Sequence, residues 1–236
     1  MPDPSASDPS TVPPGGDQLH ATRIFLRPIA NPFALGFVGL AGDTLVVAGS
    51  ELGWIPPTDQ MHVALIVMIF APVLQVIACV FGFLARDAIA ATGMGTLAGS
   101  WEIIGVVLLT SRPGSTSAAL GTFLLLAGTG VLLSAATAAQ STIVPAIVMG
   151  LTGLRFVATG LYEIIATAPF KTASGVLGCV LAFAAMYGAW SLELEGTRHH
   201  PVLPTLRRGS GRQALEPSLA EQVAEVATEA GVRRQL

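Results

Sequence analysis

The chain has 236 residues, 52% hydrophobic and only 11% charged, with a formal net charge of −3. Soluble domains carry about 25% charged residues, so the composition argues against an ordinary soluble domain. There is no basic patch with interleaved aromatics, which argues against a nucleic-acid partner. The 26 glycines fit instead a multi-spanning helical membrane protein, in which small residues let helices approach closely.

Residues 1–24, opening MPDPSASDPSTVPPGGDQ, are rich in Pro, Ser and Asp and lack a basic stretch followed by an apolar one. They read as a disordered tail and not a signal peptide. Residues 25–196 hold six apolar segments at about 33–53, 62–84, 88–110, 117–139, 142–166 and 172–193. Each approaches the roughly 20 residues that cross a bilayer. The alternating strands of a membrane barrel are absent, so the fold class is all-α: a polytopic bundle of six transmembrane helices. Turn chemistry separates the spans at Pro56-Pro57, Arg86-Asp87, Arg112-Pro113-Gly114, Gln140-Ser141 and Pro169.

Basic residues set the orientation. Arg23, Arg27, Arg86, Arg198, Arg207, Arg208 and Arg212 fall on one side of such a bundle, against Arg112 and Lys171 on the other. Both termini are therefore expected in the cytoplasm, with the protein in the cell membrane. Residues 197–236 form a polar tail. Within it Ser218 and Glu221 have capping-box spacing, and Leu219, Val223, Val226 and Ala230 recur at helical spacing, so a short amphipathic helix is expected over 219–230.

Charges inside the spans are the informative feature. At 1.5 Å per residue, Asp43 lies about 15 Å into span 1, and Glu102 and Arg155 lie roughly 20 Å into spans 3 and 5. Gln75 falls near the middle of span 2. Ionisable groups at such depth face the bundle interior or a wet cavity, and they pair. Thr152, Arg155, Thr159 and Tyr162 share one face of span 5, with Glu163 beside it. A guanidinium among hydroxyls suits a small carboxylate, which its planar fork matches. Arg155 equally suits pairing with Asp43, Glu102 or Glu163 to fix helix register, or pairing between subunits. Burial disfavours the charged form of a carboxylate, which makes Asp43 and Glu102 the candidate proton carriers. Trp101 and the two cysteines, Cys79 and Cys179, read as packing residues. His199-His200 lack further ligands, so no metal site and no cofactor is expected. No nucleophile–base pair, phosphate loop or zinc-protease motif occurs, which disfavours an enzyme.

The stretch Asn31-Pro32-Phe33-Ala34-Leu35-Gly36-Phe37 resembles the N-P-A-P-L-G-L type signature of the acetate uptake transporter (GPR1/FUN34/YaaH) family. Asn31, Pro32, Leu35 and Gly36 match, while Ala34 and Phe37 depart. Asn suits the helix cap and Pro the first helical position. Ile69-Phe70, Gln75 and Gly82-Phe83, then Gly99-Ser100-Trp101, then Tyr187 through Glu193 extend the likeness over about 25–196. The resemblance implies a six-helix protomer, usually a hexamer with one pore per subunit. It implies passage of acetate, succinate or similar small acids by proton symport or as through a channel. It places Asn31 near the substrate path, and Leu40 and Leu154 at an apolar constriction. Asp43, Glu102 and Arg155 depart from the uncharged residues it leads one to expect.

The reading is a membrane transporter or channel for a small carboxylate, with Asn31, Gln75, Arg155 and Tyr162 along the path, Leu40 and Leu154 narrowing it, and protons, the lipid bilayer and further copies of the chain as partners. The alternative is a non-transporting scaffold or sensor that keeps the family fold.

Overall fold

The computed structural model describes residues 29–198 and 202–208. Helices α1 (Pro32–Glu51), α2 (Gln60–Leu84), α3 (Ala88–Thr110), α4 (Ala118–Ala138), α5 (Ile143–Ile165) and α6 (Ala168–Arg198) follow one another, with one 3-10 turn, Pro57–Asp59, before α2. All six are long and apolar enough to cross a membrane, and no strand occurs among the described residues. The first five begin and end within two residues of the expected spans. The tail at 1–24, the helix expected over 219–230 and His199-His200 lie outside the described residues.

Local chemistry explains the boundaries. Asn31 Oδ1 accepts the Phe33 N–H at 3.0 Å, with Pro32 in the first helical position. Asp87 Oδ1 takes the N–H groups of Ile89 and Ala90 at 3.1 and 2.9 Å, and Ser117 Oγ takes that of Leu120 at 3.3 Å. These acceptors satisfy donors that a helix start leaves without intrahelical partners. The break expected at Pro169 falls elsewhere: Ala166, in the left-handed conformation, ends α5. Pro169 sits in the first turn of α6, where its missing N–H has no intrahelical partner to lose.

The helices close a ring in sequence order. α2 packs on α3, α4 on α5 and α6 on α1 most extensively, α1–α2 and α5–α6 follow, and α3–α4 is a thinner seam. Glycine makes the close contacts possible. A Cβ at Gly39 of α1 would lie 3.1 Å from the Ala71 Cα of α2, backbone against backbone. On the outward faces, Thr96, Thr110, Thr122, Thr129 and Thr137 each donate to the carbonyl four residues earlier. Such back-bonding satisfies a hydroxyl without water, which is what a lipid-facing surface requires.

The segment after α6, expected as plain polar tail, straps across the start of α5. The carbonyls of Leu206 and Thr205 accept the N–H groups of Ile143 and Val144 at 3.2 and 3.4 Å, and Arg208 N–H donates to Ser141 O at 2.8 Å. Glu195, buried at the end of α6, pairs with Arg207 and accepts from Thr205 Oγ1 at 3.1 Å. This strap explains why α6 runs to Arg198 and not to 193: its last turn is covered.

The α1–α2 contact yields a stability prediction. Gly39→Leu overpacks a backbone contact and is expected to cost about 1–3 kcal/mol, read as a lower thermal midpoint of the purified protein in detergent. Gly196→Ala, where a Cβ meets nothing within 4 Å, is the control and leaves the midpoint unchanged.

Candidate functional site

Helix α1 carries three polar stations: the Gly36 carbonyl, Asp43 with Thr44, and Glu51. At 1.5 Å per residue they are roughly 10–12 Å apart along the helix. The first two meet α2 and the third meets α5 and α6.

At the first station Gln75 of α2, fully buried, donates Nε2 to Gly36 O at 3.5 Å. Its Oε1 has no hydrogen-bond partner. Asn31 lies one turn outside this level, exposed, at the end of the bundle where α1 begins. The buried rings of Phe33 and Phe37, 5.2 Å apart, and fully buried Leu40 fill the space between.

At the second station Asp43 is fully buried, and its Oδ2 accepts the backbone N–H of Ala71 at 3.1 Å. The contact falls beside Pro72, inside α2. A proline within a helix removes a backbone donor and strains the preceding turn, so the α1 carboxylate reaches α2 where its ladder is interrupted. Asp43 Oδ1 and Thr44 Oγ1 are buried without partners.

The third station is the richest. Arg155 of α5 is 2% exposed, and its Nη2 lies 3.4 Å from Glu51 Oε2. Glu51 Oε1 accepts from Ser174 Oγ of α6 at 2.8 Å. Ser174 Oγ and Thr159 Oγ1 are 2.6 Å apart, and Thr159 also donates to Arg155 O at 3.0 Å. The guanidinium carbon lies 5.6 Å from the ring centroid of Trp101, fully buried on α3, and Trp101 in turn meets Phe156 edge-on at 6.0 Å. Arg155 Nε and Trp101 Nε1 are buried donors without partners. Tyr162 lies half-buried two turns further along α5, with Lys171 Nζ 6.0 Å from its ring.

The structure corrects three sequence expectations. The partner of Arg155 is Glu51, and not Asp43, Glu102 or Glu163. Asp43 is engaged with the α2 backbone, and Glu163 Oε2 accepts the Ser117 N–H at 2.6 Å, at the start of α4. Glu102 is exposed on the outer side of α3. Trp101 holds the inward face, and the next residue is turned by about 100°. Leu154 is likewise 50% exposed, because Arg155 and Thr152 take the inward face of α5, so it does not join Leu40 at a constriction. Gln75, Arg155, Thr152 and Leu40 do point inward.

Glu51, Ser174 and Trp101 are site residues that sequence reasoning missed. Glu51 lies inside the expected first span, near its end, and was not weighed as a partner for Arg155. A long side chain carries its charge well away from its own Cα, and that reach was the available signal.

With this geometry in hand, the relatives can be compared. The family model GPR1/FUN34/yaaH matches residues 15–206. The chain belongs to the GPR1/FUN34/yaaH family. The family comprises channels and transporters and not enzymes, and with six apolar helices the chain is a multi-pass membrane protein. No curated protein matches it. Among solved structures it is similar in fold to one described as the bacterial acetate channel SatP, with a TM-score of 0.67 and 20% identity over 75% of this chain and 99% of that one. The family match takes in all six helices and most of the strap.

The second station carries its own prediction. Asp43→Leu leaves the Ala71 N–H without its carboxylate and is expected to cost about 1–3 kcal/mol. Asp43→Asn, which keeps an acceptor oxygen, costs less. Thermal midpoints of the two variants, compared in the same detergent, check the order.

Proposed function

We propose that this chain is a proton-coupled transporter or channel for small organic acids such as acetate or succinate, in the cytoplasmic membrane with both ends in the cytoplasm. One observation carries the reading: a buried guanidinium with an unpartnered Nε stands inside the six-helix ring of a family of channels and transporters. The similarity to a structure described as an acetate channel supports acetate as the first cargo to test. The acid would enter beside Asn31, pass Gln75 and Leu40, and meet Arg155 before leaving past Tyr162. Asp43, the inward carboxylate at the middle station, is the proton carrier in this reading. Arg86 on the α2–α3 turn and Arg207–Arg208 in the strap support a cytoplasmic assignment for that end.

The chain works in this reading as a homo-oligomer, the hexamer that the family resemblance implies. Glu102 supports this. A carboxylate on the outer face at that depth costs a few kcal/mol against lipid, and a neighbouring copy relieves the exposure.

Uptake of labelled acetate and succinate into proteoliposomes tests the proposal. Arg155→Ala is expected to lower acetate uptake about tenfold or more, the loss of one charged hydrogen bond. Unchanged uptake by an intact oligomer removes Arg155 from the path. Asp43→Asn is expected to abolish the response to an imposed pH gradient, and a preserved response assigns coupling elsewhere. A second reading, a scaffold or sensor that does not transport, is favoured by the closure of Glu51 on Arg155. It gains if the native protein moves none of a panel of organic acids.

A further inference from the structure

The Arg155 pair has an odd geometry. A guanidinium bound well to a carboxylate makes two parallel contacts near 2.7–2.9 Å. Here a single Nη2 contact of 3.4 Å joins them, and Nε has no partner. The better bond of Glu51 goes sideways, from Ser174 at 2.8 Å, and Thr159 braces Ser174 at 2.6 Å. Arg155 is meanwhile held in place by other means. Trp101 offers its ring face at 5.6 Å. Gly178 of α6 leaves the room it needs: a Cβ there would lie 2.8 Å from Arg155 Nε and 3.2 Å from Cζ. A side chain at 178 would push aside the guanidinium and the Ala48 Cβ, which would also lie 2.8 Å away.

We propose that Arg155 is a carboxylate-binding site occupied by an internal stand-in, the carboxylate of Glu51, which the cargo displaces. This rests on the transport reading above and deepens it. The incoming carboxylate takes the Nη2 that Glu51 releases, with Trp101 Nε1 as a second buried donor. Glu51 swings onto Ser174, the hydroxyl that already holds one of its oxygens.

The exchange names the substrate class. One carboxylate replaces another, so a monocarboxylate finds the single cation it needs. A dianion brings a second negative charge beside displaced Glu51. Toward this end of the bundle stand Ser174 of α6, Tyr162 and Glu163 of α5, and Lys171 of α6, whose ammonium lies 6.0 Å from the Tyr162 ring. Repulsion by Glu51 therefore selects monocarboxylates over dicarboxylates.

The test is competitive uptake of acetate and succinate by proteoliposomes containing the full chain, native or Glu51→Gln. Glu51→Gln is expected to lower the half-saturation concentration for acetate and to shift the acetate-to-succinate preference toward succinate by about tenfold, the effect of removing one nearby charge. Gly178→Ala, which displaces the guanidinium while keeping every charge, is expected to raise the half-saturation concentration. Native protein that moves neither acid overturns the transport reading itself. Native protein that moves acetate, with a folded Glu51→Gln whose affinity and preference are unchanged, overturns the stand-in alone. Should Glu51→Gln fail to fold, the native pair can be read directly. In a Trp54→Phe, Trp190→Phe chain, which retains only Trp101, acetate is expected to change the indole emission saturably. No change in a chain that still transports acetate also overturns the stand-in.

Discussion

The constraint on which the structure depends is a guanidinium that stands inside a membrane bundle. Arg155 cannot shed its charge, and breaking a buried pair by removing one partner costs about 3–5 kcal/mol. Four helices are committed to meeting that demand. α1 supplies Glu51, α3 supplies Trp101, α6 supplies Ser174 and the absent side chain of Gly178, and α5 supplies Arg155 and the Thr159 that braces the group. The ring closes around this point: α1 packs extensively on α6, and α5 packs on α6.

The α2 side of α1 obeys a different rule. Between lipid-soluble helices there is no hydrophobic drive to associate, so contact depends on close packing and on polar groups finding partners. Gly39 permits backbone contact with Ala71, and the Asp43 carboxylate takes the Ala71 N–H beside Pro72. α1 is thus fixed to α2 by a bond to main chain and to α5 by an ion pair. A bond to main chain keeps its meaning when side chains change rotamer. An ion pair at 3.4 Å is looser. The two attachments give the helix one rigid side and one side that can yield.

Much of this was legible in the sequence. Six spans and the ends of the first five follow from hydropathy, and the cap at Asn31 follows from residue type. The inward orientation of Gln75, Leu40 and Arg155 follows from depth and from the hydroxyl stripe of α5. What was not legible is which face of a uniformly apolar helix turns inward. In α3 neither face is polar enough to decide it, so Glu102 seemed as inward as Trp101, while Leu154 was placed by resemblance against the hydroxyl stripe of its own helix. Partner choice was also hidden, because depth counted along Cα positions ignores side-chain reach, and that separates Glu51 from Arg155 on paper. The strap at 202–208 had no signal of its own: its hold on α5 is mostly main chain.

A charge pair along a proposed transport path looks at first like a plug. The electrostatics argue the other way. A lone guanidinium in a low-dielectric interior would bind an anion too tightly to release it, since the alternative state is an uncompensated buried charge. An internal carboxylate changes that comparison. Release of the cargo returns Arg155 to Glu51, so the guanidinium has a carboxylate partner before, during and after passage. Conduction requires binding favourable enough to enter and weak enough to leave. A loosely held internal partner, supported from the side by Ser174 and Thr159, supplies both conditions at one residue. The same carboxylate that blocks an empty path lets a loaded one turn over.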